Sequence, residues 1–205
     1  MIVIADYDVG NVAAIKNMLK KCGHDSILSH DHNELRNASK IILPGIGAFD
    51  SCAQNLDTYD LRGILNECVL KKKTPILGIC VGMQLLAAGS EEGVLSGLNW
   101  IDGYVKKFSF EDNISLKIPH MGWNTLLPQE GNPLFKDLEE DARFYFAHSY
   151  HFACKNAENE GATTNYAYKF ASSVKNNNIF GVQFHPEKSH KYGMRVLSNF
   201  ASISQ

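Results

Sequence analysis

Apolar residues recur along the chain with two different periods, and the change from one to the other divides it in half. Met1–Ala5 is a short apolar run with the character of a buried strand. Asn11–Cys22 then sets Val12, Ile15, Leu19 and Cys22 on one helical face, with Gly23 placed to stop the helix. Ser26–Leu28 and Lys40–Leu43 are further short buried strands by composition. Leu61, Ile64, Leu65, Cys68 and Val69 mark a second amphipathic helix, whose negative end would hold Lys71–Lys73. Pro75–Ile79 is too short for a helix, and Gly82–Ala88 resumes helical composition. Strand and helix thus alternate through the first half, as they do in parallel α/β proteins.

From about Ile101 the pattern turns to strands: Ile101–Phe108, Arg143–Ala147, Phe170–Val174 and Ile179–Phe184. The last two would form a hairpin across Lys175–Asn178, where the asparagine run suits a turn. Ser189–Ile203 closes the chain as a helix with Val196, Leu197, Phe200 and Ile203 inward. No repeat, linker or composition shift marks a boundary. The expected architecture is therefore one three-layer α/β domain over residues 1–205, with a mostly parallel central sheet and antiparallel additions.

Composition narrows the choice of partner and compartment. With 44% hydrophobic residues the chain can bury a core, and a formal net charge of -2 gives no electrostatic reason to expect nucleic acid. Asp6 and Asp8 interrupt the first apolar run, so it does not read as a signal peptide. No apolar stretch reaches the roughly 20 residues that span a bilayer. A cytoplasmic protein with no membrane partner is expected. Cys22, Cys52, Cys68, Cys80 and Cys154 are scattered and form no C-x-x-C pair, which argues against a disulfide framework and a zinc site. Cys22 and Cys68 fall on apolar helix positions and are expected to be small buried hydrophobes. No metal or cofactor is called for.

Cys80 is different. Gly78-Ile79-Cys80-Val81-Gly82 follows an apolar strand and opens a helical segment, the setting in which a G-x-nucleophile-x-G sequence forms an elbow. An elbow pushes its central side chain out of the sheet, and the helix behind it directs free N–H groups there. A base is available in Gly181-Val182-Gln183-Phe184-His185-Pro186-Glu187. Pro186 favours an extended His185, and in an extended chain residues two apart face one side, so Glu187 can orient the imidazole. Nucleophile, base and orienting acid are what acyl transfer requires. The N–H of Val81 is an oxyanion donor by its position, and the glycines of Pro44-Gly45-Ile46-Gly47 can aim a second one.

These motifs, with Asp6-Tyr7-Asp8-Val9-Gly10-Asn11, Ser90-Glu91-Glu92-Gly93, Ile118–Asn124 and His148-Ser149-Tyr150, resemble the class I glutamine amidotransferases. Among these the chain is most similar to the glutaminase subunits of imidazole glycerol phosphate synthases, from histidine biosynthesis. The resemblance implies catalytic Cys80, His185 and Glu187, an oxyanion strand at Gly45, Ile46 and Gly47, and glutamine-holding groups at Gly47, Gln84, Glu92, Ser149 and Tyr150. It also implies a (β/α)8-barrel cyclase partner that receives ammonia, with Asn11, Trp123, Tyr145 and Lys188 facing it. Two positions depart from the family: Asp8 stands where glycine is usual, and Val81 where leucine is. The ending Lys188–Met194 also fits related subunits that supply ammonia for amidination of surface-polysaccharide sugars. A free-standing γ-glutamyl hydrolase or cysteine peptidase, or a silent regulatory subunit, are further alternatives. No G-x-x-x-x-G-K-[ST] loop is present, so the ammonia acceptor is expected to be held elsewhere.

Overall fold

The computed structural model describes residues 1–111 and 115–203. Positions 112–114 and 204–205 of the single domain expected above lie outside the described residues. The amino-terminal half runs β1 (Ile2–Ala5), α1 (Val12–Lys21), β2 (Ser26–Ser29), α2 (His32–Arg36), β3 (Lys40–Leu43), α3 (Phe49–Thr58), α4 (Leu61–Asn66), β4 (Ile76–Ile79) and α5 (Val81–Gln84). Then follow β5 (Gly103–Lys107), β6 (His120–Thr125), β7 (Leu127–Pro128), β8 (Arg143–His148) and β9 (Tyr150–Cys154). β10 (Glu160–Tyr166), β11 (Tyr168–Asn176), β12 (Ile179–Val182) and α6 (His190–Ala201) complete the chain.

Local signals account for most of these boundaries. Asn11 caps α1 by accepting the Ala14 N–H at 3.4 Å, and Gly23, at φ +81, ends it. Ile15 and Leu19 are buried as expected, but Cys22 is only half-buried because it stands at the helix's C-cap. The α4 stripe continues through a π-turn at Glu67–Lys71, which keeps Cys68 and Val69 inside. Gly82–Ala88 does not form a full helix. The carbonyls of Leu85, Leu86 and Ala87 are taken by the N–H groups of Leu98, Trp100 and Asn99 at 2.7, 2.9 and 3.0 Å, so α5 stops after one turn. β2 is a half-exposed edge, not a buried strand, because it pairs only with β1. α3 buries Phe49, Cys52, Ala53 and Leu56 on one face, a helix the pattern reading above does not contain.

Ten strands form one sheet in the order β2-β1-β3-β4-β12-β11-β10-β7, with β9 joined to β11 and β5 to β9. From β2 to β12 all neighbours are parallel; β11, β10 and β7 follow antiparallel. The β11–β12 hairpin turns at Asn177, whose φ of +53 an asparagine tolerates. Helices gather in two sets, α1 with α6, and α2 and α3 with α4, the layered packing expected of an α/β fold. β6 and β8 stand apart as a two-stranded ribbon, pairing His120 with His148 and Trp123 with Tyr145.

Candidate active site

Three neighbouring parallel strands, β3, β4 and β12, end side by side, the place where open α/β sheets bind ligands. β4 delivers Cys80, whose φ of 55 and ψ of −113 form the strained turn of an elbow. Its N–H donates to the Val182 carbonyl at 2.8 Å, tying the nucleophile to the end of β12. Gly82 is needed there because a Cβ would stand 2.0 Å from the Leu43 carbonyl oxygen. The elbow therefore locks against the end of β3.

β12 delivers His185, whose N–H donates to the Tyr145 carbonyl at 2.9 Å and whose carbonyl accepts the Ser189 hydroxyl at 2.6 Å. His185 is extended, as Pro186 demands, but Glu187 is not: Pro186–Lys188 is a 3-10 turn. That turn, rather than continued extension, brings the Glu187 carboxylate to 2.9 Å from His185 Nδ1. With Nδ1 donating to Glu187, Nε2 is left for the Cys80 thiol. Burial pulls the His185 pKa down, yet its bonds to Cys80 and Glu187 outweigh this and raise it to about 10. These contacts favour the protonated form of the His185 imidazole. The second Glu187 oxygen is buried with no hydrogen-bond partner among the described residues.

β3 delivers Pro44–Gly47, and each of its first three carbonyls is engaged. The buried Tyr7 hydroxyl donates to Pro44 at 2.5 Å, the Val81 N–H to Gly45 at 3.3 Å and the Cys52 thiol to Ile46 at 3.4 Å. Burial pushes the Cys52 thiol up to about 12, which keeps it a donor. Val81, expected as a free oxyanion donor, is thus occupied by the Gly45 carbonyl. Freeing it requires the Gly45–Ile46 peptide to turn over, which the glycines at 45 and 47 permit; Gly47 already sits at φ +88. The one-turn α5 also limits the dipole support expected from a longer helix.

A cavity of about 370 Å³ opens above Cys80, lined by Gly47, Gln84, Glu92, Ser149 and Tyr150, the residues carried over for glutamine. Gln84 is 2% exposed, and its two amide hydrogens go to the Tyr150 carbonyl and to Gln183 Oε1, each at 3.1 Å. Only its carbonyl oxygen is left to accept from a ligand. Glu92 accepts the Phe49 N–H at 2.9 Å. Two residues went unassigned in the sequence. Gln183, fully buried, places Nε2 3.8 Å from the Cys80 sulfur, and His148 lines the cavity. Alternation with His185 along the β12 segment would have pointed to Gln183.

Beside the cavity mouth, Lys188 Nζ lies 5.7 Å over the Tyr145 ring, and Trp123 stacks on His190 at 5.3 Å while meeting Tyr145 edge-on at 6.1 Å. Trp123 is 45% and Met121 64% exposed, so the tryptophan is a surface residue. Asn11 is exposed as well, one residue from Gly10, which packs on Pro44. Asp8 holds its left-handed φ of 62 with its carboxylate bonded to the Tyr59 hydroxyl, which explains how the loop accommodates it. Among the described residues no group of three or more His, Cys, Asp or Glu could hold a metal.

The family profile Glutamine amidotransferase class-I matches residues 3–203. The chain belongs to the class I glutamine amidotransferases. Similar amidotransferases include an imidazole glycerol phosphate synthase subunit HisH of Bdellovibrio bacteriovorus, 48% identical over 99% of this chain and 100% of the relative. A subunit HisH 2 of Methanococcus maripaludis is 50% identical over 98% of each chain. Among solved structures, PurLQS of Thermotoga maritima superposes with a TM-score of 0.67 at 18% identity, covering 97% of this chain and 96% of that one, a likeness of fold. For an amidotransferase of this class, a thiol, a histidine and a carboxylate at neighbouring strand ends are the parts the chemistry needs.

Proposed function

We infer that this amidotransferase hydrolyses L-glutamine to glutamate and ammonia and hands the ammonia to a (β/α)8-barrel cyclase subunit, which makes imidazole glycerol phosphate and AICAR in histidine biosynthesis. The observation that carries the chemistry is the meeting of Cys80, His185 and Glu187 at the ends of β4 and β12, under a cavity lined by the glutamine-holding groups. Relatives about half identical over their full length, named as HisH subunits, support the pathway. The whole chain acts as one glutaminase domain in a heterodimer. No described helix is long and apolar enough to cross a membrane. Five unpaired cysteines suit the reducing cytoplasm.

The Cys80 sulfur attacks the side-chain amide carbon of glutamine, and the carbonyl electrons move to its oxygen. The turned-over Gly45–Ile46 peptide and the freed Val81 N–H would receive that oxyanion. His185, held by Glu187, gives its proton to the departing nitrogen, so ammonia leaves and a thioester remains. It then takes a proton from water, whose oxygen displaces the sulfur and releases glutamate. Nothing in these steps consumes a cofactor.

The test separates the two half-reactions. Cys80→Ala in the heterodimer should abolish glutamine-dependent synthesis while ammonia-dependent synthesis stays near the wild-type rate. Equal loss of both, with the complex intact, would overturn the division of labour.

A further inference from the structure

A chain of buried polar groups runs from the partner-facing ribbon to the nucleophile. His148 Nδ1 stands 2.8 Å from the Tyr150 carbonyl, which can only accept, so Nδ1 carries the hydrogen. His148 Nε2 is then an acceptor, and His120 Nδ1, 3.1 Å away, must donate to it. His120 Nε2 is left to accept from Asn124 Nδ2 at 3.3 Å. Asn124 is fixed in turn by the Asn165 carbonyl at 3.1 Å and the Thr125 N–H at 2.8 Å. At the other end, the Tyr150 carbonyl also accepts from Gln84, which donates to Gln183, which donates to the Cys80 sulfur. One tautomer of each histidine satisfies every contact, and both rings are neutral in it.

The ribbon that carries this chain has two faces. Along β6, Met121 and Trp123 point out and are exposed, while His120 between them and the core is buried. His120 is sandwiched between Phe146 at 4.7 Å and Tyr166 at 3.9 Å. The His148 bond to Tyr150 spans Ser149, so the side chain of one residue pins the turn whose other two line the glutamine cavity.

We propose that His148 is a positioning residue for glutamine, pinning the Ser149–Tyr150 wall of its cavity, and that His120 makes this wall answer to the partner-facing strand. This rests on the glutaminase reading given above. A tilt of β6 on docking moves His120 with Trp123, and the wall follows through His148. The proton stays where it is throughout; what is transmitted is position. Neither histidine needs to touch the reacting atoms.

Three variants separate the roles. His148→Ala loses the pin, whereas His148→Asn keeps an amide nitrogen near the Nδ1 place and should rescue it. His120→Phe keeps the stacked ring and removes both nitrogens. The first readout is labelling of Cys80, followed by mass spectrometry, with a glutamine-derived diazo ketone and with iodoacetamide. His148→Ala should slow the diazo ketone roughly three- to tenfold, the size of one lost hydrogen bond, and leave iodoacetamide labelling alone. His148→Asn should return it to within about twofold. The second readout is turnover of the heterodimer. His148→Ala should raise KM for glutamine with kcat nearly held, and His120→Phe should lower the partner-dependent acceleration about tenfold. Equal slowing of both reagents would mean that His148 supports the elbow fold, and an unchanged ratio in every variant would sink the proposal. If the wild-type protein ignores the diazo ketone, it is the glutaminase reading that falls first.

Discussion

In the parallel half, the reactive groups are placed by main-chain register: Cys80 and His185 leave adjacent strands paired Ile79 to Val182, and backbone bonds fix each of them. In the antiparallel ribbon, the groups that shape the cavity wall are placed by side chains bonded to side chains, His120 to His148 and Asn124 to His120. A sheet core resists displacement because every strand has two neighbours. A two-stranded ribbon off the sheet has one, and it carries exposed Met121 and Trp123. The contrast teaches where to look for chemistry and where for control: the first sits on strands paired on both sides, the second on a ribbon with one paired strand. Tyr145 joins that ribbon to the site, its carbonyl accepting the His185 N–H and its N–H donating to the Ser189 hydroxyl.

The largest effect should come from breaking the rigid side. His185→Ala removes the group proposed to move protons in both halves of the reaction, and glutaminase kcat should fall by about ten-thousand-fold. Glu187→Gln leaves the base but weakens its orientation and charge, and its loss should be roughly ten- to a hundredfold smaller. Turnover of the heterodimer under saturating glutamine checks both. A near-normal rate for His185→Ala would remove it as the base.

The next effect lies on the parallel side too, at the one peptide there that has to turn over. Because the Gly45 carbonyl occupies the Val81 N–H, the resting site lacks an oxyanion donor, and a missing donor costs roughly 100- to 1,000-fold in rate. Glutaminase turnover should therefore rise by about that factor from the chain alone, to the chain with its cyclase, to the complex with acceptor substrate. Lys188, whose ammonium rests over Tyr145 without an ion pair among the described residues, is free to meet a partner carboxylate. Lys188→Ala should lower the acceleration several-fold. Equal rates in all three states would show that the peptide does not gate.

The two regions also differed in how far the sequence disclosed them. β1, β3 and β4 stand within a residue of their apolar runs, and the elbow and His-x-Glu motif led directly to the meeting of Cys80, His185 and Glu187. Short parallel strands buried on both faces leave a clear mark because nearly every residue is apolar. Of the ribbon, β8 followed the expected strand Arg143–Ala147, but β6 left little: His120–Thr125 alternates, yet its inward face is His120, Gly122 and Asn124, and the two polar side chains bond to partners far along the chain. No local pattern encodes such a partner. The occupied Val81 N–H was hidden for a related reason, since the Gly45 carbonyl that takes it comes from another strand.

The smallest expected effect is on stability, and it sets the two regions against each other in sign. Burial among Phe108, Phe146 and Phe170 lowers His148 to about 3 and His120 to about 4, with the neighbouring His151 also lowered and His185 adding repulsion to His148. In the unfolded chain these histidines bind protons near 6.5. The unfolded state therefore holds more protons as pH falls below that value, and the native state loses the histidines' contribution until it too is protonated near pH 4 to 3. His185 behaves oppositely: raised to about 10, it contributes fully below pH 6.5, and that contribution fades as pH climbs toward 10. Urea midpoints should thus decline on acidification from about pH 6.5 to pH 5, and His120→Phe combined with His148→Asn should flatten that decline. Cys80→Ala should instead flatten the loss between pH 7 and 10, because it removes a partner that holds the His185 proton. If the ribbon double variant kept the wild-type acid slope, the acid sensitivity would lie outside the ribbon, and the neutral, one-tautomer state of its histidines would lose its thermodynamic support.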